Sequence, residues 1–136
     1  MPQKITVSAK QLVEAAKSEI EEISAADALK LLGRDDVLLV DIRDPRERER
    51  DGKVPGTFHC TRGMIEFWID PDSPYYKPQF GEDKKFVFFC AGGLRSALAA
   101  KTAQDMGLKP VAHVIGGYKA WKEAGGPTEP GDAKKS

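Results

Sequence analysis

The sequence predicts an α/β domain with a mainly parallel central sheet and helices on both of its faces. Two apolar runs, Val37-Leu-Leu-Val40 and Phe86-Val-Phe-Phe89, are continuous rather than alternating, as strands covered on both sides are. Segments with helical spacing lie between the strand-like ones, the pattern of parallel strands joined by crossover helices. Glycine and proline fill the junctions, where the chain must turn.

Taken in order, Ser8 is placed to cap a first helix running through Val13 and Ala16, because its hydroxyl can accept from a free N–H of the first turn. Ile20 to Ile23 alternates apolar and acidic residues and suits a short edge strand. Ser24-Ala-Ala-Asp27 reads as a capping box with Asp in place of the usual Glu. Ala25, Ala28, Leu29 and Leu32 follow at helical spacing, and Gly33 is placed to end that helix. Val37 to Val40 is a strand closed by Asp41. The charged stretch Asp44 to Asp51 carries Pro45 at a first helical position and reads as a short solvated helix. Gly52 to Gly56 is a turn and Thr57 to Cys60 a short strand.

Met64, Ile65, Phe67, Trp68 and Ile69 make an aromatic-rich helical turn or two. Residues 70–81 hold three prolines and two tyrosines, too aromatic for a flexible spacer, so an ordered loop is expected. Phe86 to Phe89 runs up to Cys90. Arg95 to Met106 is a helix with Leu98, Ala99, Thr102, Ala103 and Met106 on one face, stopped by Gly107 and Pro110. Val111 to Ile115 is a last strand with His113 inside it, and Tyr118 to Ala124 a last helix. The polar, Gly/Pro-rich tail 125–136 is expected to be disordered.

The 136 residues include 21 basic and 21 acidic ones, with 40% hydrophobic and 31% charged, the mix of one ordinary globular domain. With no excess of cations to neutralise phosphates, the chain is not built to grip nucleic acid. No apolar run approaches the ~20 residues that cross a membrane. The opening MPQKITVSAKQLVEAA has no continuous apolar stretch, so it is not a secretory signal. A cytoplasmic setting follows, in which thiols stay reduced. Two cysteines, Cys60 and Cys90, stand thirty positions apart, and the histidines, His59 and His113, are too few and too scattered for a metal site.

Cys90-Ala-Gly-Gly-Leu-Arg95-Ser96 carries the chemistry. Glycines let the backbone fold tightly enough to aim several N–H groups at one point. The start of the following helix adds partial positive charge there. A thiol in that setting is expected to ionise easily, and the thiolate is the nucleophilic form. Cys90 is therefore the candidate nucleophile. Cys60, with no such cradle, reads as a small buried hydrophobe, and His113 as a satisfied core residue.

On these residues the sequence resembles the rhodanese family, from about Val37 to Trp121. Leu38-Leu-Val-Asp-Ile-Arg-Asp-Pro-Arg-Glu47 is similar to the family's Val-Asp-x-Arg-x-x-x-Glu. Gly52-Lys-Val-Pro-Gly56 stands where the family usually reads Gly-His-Ile-x-Gly, so Lys53 replaces the usual His. Gly116-Gly-Tyr-Lys-Ala-Trp121 is similar to the closing Gly-Gly-x-x-x-Trp. With the helix that Ser8 caps, the chain is expected to divide into an N-terminal helical segment over 1–18 and, as the resemblance implies, a rhodanese-like domain over 19–124. The resemblance also implies a sulfurtransferase that carries a sulfane sulfur as a Cys90 persulfide, without metal or organic cofactor. Ala91, Gly92, Gly93, Leu94, Arg95 and Ser96 would supply the cradle, with Arg95 facing an anionic donor. The implied partners are a small anionic sulfur donor, a thiol or cyanide acceptor, and a sulfur-relay protein. Asp41, Arg43 and Glu47 are expected to form one ion-pair network that braces the loop.

Two other readings use the same parts. Phosphatases with a Cys, five residues and then Arg hold a larger anion in such a cradle, and arsenate reductases are a related case; here four residues separate Cys90 from Arg95, and Phe89 rather than His precedes the cysteine. A non-catalytic docking or sulfur-relay module is the other alternative, against which the intact cysteine loop weighs.

Overall fold

The structure, a computed structural model, describes residues 2–131. Its strands are β1 (Glu21–Ile23), β2 (Val37–Asp41), β3 (Phe58–His59), β4 (Lys85–Phe89) and β5 (Val111–Val114). Its α-helices are α1 (Ala9–Lys17), α2 (Ala25–Leu29), α3 (Pro45–Asp51), α4 (Ile65–Ile69), α5 (Leu94–Asp105) and α6 (Gly117–Glu123). The strands form one parallel sheet in the order β1-β5-β4-β2-β3, which is the fold class the sequence predicts. Among the described residues no helix is long and apolar enough to cross a membrane.

Strand alternation divides the core into two layers. Phe86, Phe88 and Cys90 face the layer under α4 and α5, together with Val40, Ile65, Ala99, Ala100 and Ala103. Val87 and Phe89 face the opposite layer, with Ala25 and Ala28 of α2 and Tyr118 and Trp121 of α6. Phe86 and Phe88 are fully buried, each worth about 1.5–3 kcal/mol of apolar transfer. Val13 and Ala16 set α1 against Ala97 of α5.

Local signals place most element starts. Ser8 accepts from the Gln11 N–H, and Gln11 returns the bond to the Ser8 N–H. Ser24 accepts from the Asp27 N–H. The sequence overextends α2, which ends at Leu29 rather than at Gly33. Bonds from Lys30 N to Asp27 O and from Leu31 N to Ala28 O tighten the chain to three-residue turns there. The 70–81 segment is ordered, as expected, and closes in a single 3₁₀ turn over Pro78–Gly81 that buries Phe80. Phe80 meets Phe58 and Phe86 at ring centroid distances of 5.6 Å each.

Two expectations are corrected. The α3 helix is not wholly solvated, since Arg48 on its inner side is 7% exposed. Nor is the tail disordered where it is described. The Trp121 Nε1–H donates to Pro127 O, and the backbones of Lys53 and Glu129 exchange hydrogen bonds at 2.8 and 2.9 Å. Gly126 lies flat on the Trp121 indole, with no room for a Cβ. Residues 132–136 of the tail lie outside the described residues.

Candidate active site

Cys90 follows the last residue of β4, at the carboxyl end of the parallel sheet, where such folds place their crevice. The chain then turns back on itself to start α5. Gly93 makes that turn with φ +97°, and a Cβ there would lie 3.0 Å from Gly116 N, so only glycine fits. The turn aims two backbone donors at the sulfur: Gly93 N–H at 3.1 Å and Ser96 N–H at 3.4 Å from Cys90 Sγ. The first turn of α5 adds its partial positive charge to the same place. Of the six predicted loop residues, Gly93 and Ser96 reach the sulfur through their N–H groups. Gly92 and Leu94 turn outward, and Ala91 and Arg95 are partly buried.

A second strap holds the loop from behind. The Tyr118 N–H donates to Cys90 O at 2.7 Å and the Lys119 N–H to Ala91 O at 3.2 Å. This approach is close enough that a Cβ on Gly117, which has φ +59°, would run into the Cys90 carbonyl oxygen. The paired glycines 116 and 117 thus have a physical reason: they let α6 begin against the cysteine backbone.

The predicted Asp41–Arg43–Glu47 network divides into two. Asp41 and Arg43 are both fully buried and pair at 2.9 Å, with Arg43 Nε also donating to Asp41 Oδ1 at 3.0 Å. Arg48, which the sequence reading missed, brings Nε to 3.2 Å from Asp41 Oδ2. Arg43 continues to Gly52 O at 2.8 Å and lies 4.1 Å above the Tyr118 ring. This cluster braces the Gly52 turn and α6, on the sheet face away from Cys90, and acts on the loop through Tyr118.

Glu47 belongs elsewhere. It accepts two bonds from Arg95, Nη1 to Oε1 at 2.6 Å and Nη2 to Oε2 at 2.9 Å, a planar fork on a planar carboxylate. These bonds hold Glu47 below the ordinary carboxylate value and Arg95 above its own. The pair therefore contributes stability above the unfolded Glu value, and that contribution fades as pH falls through the lower folded one. The ion pair also fixes Arg95 beside a depression of about 180 Å³ lined by Ile42, Asp44, Thr61, Arg62, Gly63 and Arg95. Arg62, a second cation there, carries no sequence signal of its own.

Cys60 is fully buried, as expected, and burial pushes its thiol up to about 12. Lys53 pairs its backbone with Glu129 and brings Nζ to 3.9 Å from Glu129 Oε1, which gives the residue in place of the usual His a structural position. His113 is fully buried with both ring nitrogens hydrogen-bonded.

The chain is similar to known proteins. The chain is 69% identical to a protein of unknown function, possible tyrosine phosphatase, from Rhodopseudomonas palustris, covering 95% of this chain and 99% of that one with a TM-score of 0.92. It is 30% identical over 104 residues to the thiosulfate sulfurtransferase GlpE of Pseudoalteromonas translucida, 76% of this chain and 90% of that protein. It is also 29% identical over 96 residues, 67% of its own length, to the mouse thiosulfate sulfurtransferase/rhodanese-like domain-containing protein 3, of which it spans 61%. Residues 24–124 match the family model of the rhodanese-like domain. The chain belongs to the rhodanese-like domain family.

Proposed function

We propose that the protein moves a sulfane sulfur from an anionic donor such as thiosulfate to a thiophilic acceptor through a persulfide on Cys90. The observation that carries this reading is the pair of N–H donors on Cys90 Sγ, from Gly93 and Ser96. The Cys90 thiolate attacks the outer sulfur of thiosulfate, and sulfite leaves with the electron pair of the broken S–S bond. The terminal sulfur of the persulfide carries the negative charge. An acceptor nucleophile, cyanide or a thiolate, then attacks that sulfur and Cys90 departs as thiolate. Fixed N–H donors cost no reorganisation as this charge forms and moves. Arg95 and Arg62 beside the loop suit an oxyanion end of the donor.

The likeness to a possible tyrosine phosphatase favours a second reading, phosphoryl transfer through the same cysteine. Four residues between Cys90 and Arg95 make a small cradle, which favours a single sulfur atom over a tetrahedral phosphate.

Intact mass after brief exposure to thiosulfate tests the proposal. One added sulfur is expected, lost again on adding cyanide. Release of phosphate from p-nitrophenyl phosphate without any sulfur uptake would replace this reading by the second. Arg95→Ala is expected to raise the KM for thiosulfate about tenfold, the worth of one charge-assisted contact, with a smaller change in kcat. An unchanged KM in the cyanide assay would remove Arg95 from donor binding.

A further inference from the structure

Ser96 and His113 are both fully buried, and the sulfur-transfer steps above use neither side chain. With Glu22 they form an unbroken line of hydrogen bonds that starts at the reacting sulfur. Cys90 Sγ lies 3.5 Å from Ser96 Oγ, Ser96 Oγ 2.9 Å from His113 Nδ1, and His113 Nε2 2.9 Å from Glu22 Oε2. The topology fixes the far end. Glu22 and His113 are direct register partners on β1 and β5, so their side chains leave the sheet on the same side. Val111, two residues earlier on β5, packs in the layer under α5, and Ser96 comes down from the first turn of that helix.

The directions of these bonds follow from one end. An ionised carboxylate accepts and cannot donate, so the hydrogen of the last bond sits on His113 Nε2. In the neutral imidazole Nδ1 is then bare, and the Ser96 hydroxyl donates to it. The Ser96 oxygen is left to accept from the Cys90 S–H. Every hydrogen on the line points from the sulfur toward Glu22, whose side chain is 29% exposed and opens to water.

We propose that this line is a proton relay that serves Cys90. The S–H proton passes to Ser96 Oγ as the Ser96 hydroxyl proton passes to His113 Nδ1. One S–H and one O–H bond break, one O–H and one N–H bond form, and no electrons change owner. The product is a thiolate that accepts from the Ser96 O–H and an imidazolium held by Glu22. Ser96 touches the reacting atom; His113 and Glu22 are positioning residues that act through it. The groups facing His113 are Glu22 from β1, which favours the imidazolium, and Lys17 from the end of α1, which opposes it. Cys90 faces it from the end of β4, beyond Ser96. Burial is the largest influence and keeps the resting imidazole neutral, the state from which the relay starts.

The relay rests on Cys90 being the reacting thiol, and its test does not use sulfur transfer. Alkylation of Cys90 in the full chain by iodoacetamide is followed by mass and peptide mapping across pH, for wild type, Ser96→Ala, His113→Gln and Glu22→Gln. Ser96→Ala and His113→Gln are expected to slow alkylation at neutral pH about tenfold, the worth of one hydrogen bond to a charged sulfur. Glu22→Gln, a surface change that keeps the fold, is expected to slow it about threefold, a partial loss of the same kind. All three rates should converge on wild type as pH rises and hydroxide takes the proton directly. Glu22→Gln and Ser96→Ala alkylating as fast as wild type at neutral pH would overturn the relay. So would a deficit equal at every pH, which marks a packing role. A pH-dependent deficit in a protein that takes no sulfur from thiosulfate would keep the relay and overturn the transfer reading.

Discussion

A Cys90→Ser variant is expected to take no sulfur from thiosulfate and to pass none to cyanide, a loss of more than about a thousandfold. Sulfur transfer needs a group that can be attached to and released from a second sulfur. An alkoxide is too basic to form in this site and cannot carry a persulfide. The fold should hardly notice the change. Gly93 N–H and Ser96 N–H donate to Cys90 Sγ in the native chain, and a serine oxygen can accept from both. A stability loss of about 1 kcal/mol is the expected order. Cyanolysis rates and thermal unfolding of the two proteins check both halves. Substantial turnover by the serine variant would move the chemistry away from Cys90.

The second large effect is on stability. Asp41 is fully buried and is the carboxylate on which both Arg43 and Arg48 converge. Asp41→Ala leaves two guanidiniums inside the protein without that partner. Breaking a buried pair from one side typically costs about 3–5 kcal/mol, a large part of the ~5–15 kcal/mol that holds a domain together. Urea unfolding is expected to show a loss of that size, with the midpoint shifted and the slope little changed. A loss under about 1 kcal/mol would mean that water or rearranged carbonyls replace the carboxylate freely. The effect would reach the active site through Tyr118, whose ring lies under Arg43 and whose N–H holds the Cys90 carbonyl.

Much of the fold is written locally in the sequence. Ser8, Ser24 and Pro45 mark helix starts because capping and a missing N–H act within one turn. The continuous apolar runs of β2 and β4 report burial on both faces. The cysteine loop is legible for the same reason, since its donors come from residues three and six positions past Cys90. The side-chain pairs around it are not. Arg95 finds Glu47 across 48 positions, and His113 finds Glu22 across 91. Those meetings depend on the order β1-β5-β4-β2-β3 and on strand register, which no short window of sequence contains. Asp41, Arg43 and Glu47 looked like one network because they are close along the chain. The strand-to-helix turn sends Asp41 and Arg43 to the interior of one layer and Glu47 to the loop on the other side.

The docked tail separates two boundaries that are easily taken for one. The family pattern ends at residue 124. The folded unit does not stop there. A chain cut after Ala124 would keep every residue the pattern reads, yet it would uncover the Trp121 indole and strip the Gly52 turn of the paired backbone of Glu129. That turn takes the Arg43 guanidinium on its carbonyl, so the truncation would be felt inside the buried charge cluster. Any excised version of this protein should therefore run through Gly131, whose backbone lies against that of Arg48. A fusion joined at 124 would report on a loosened molecule.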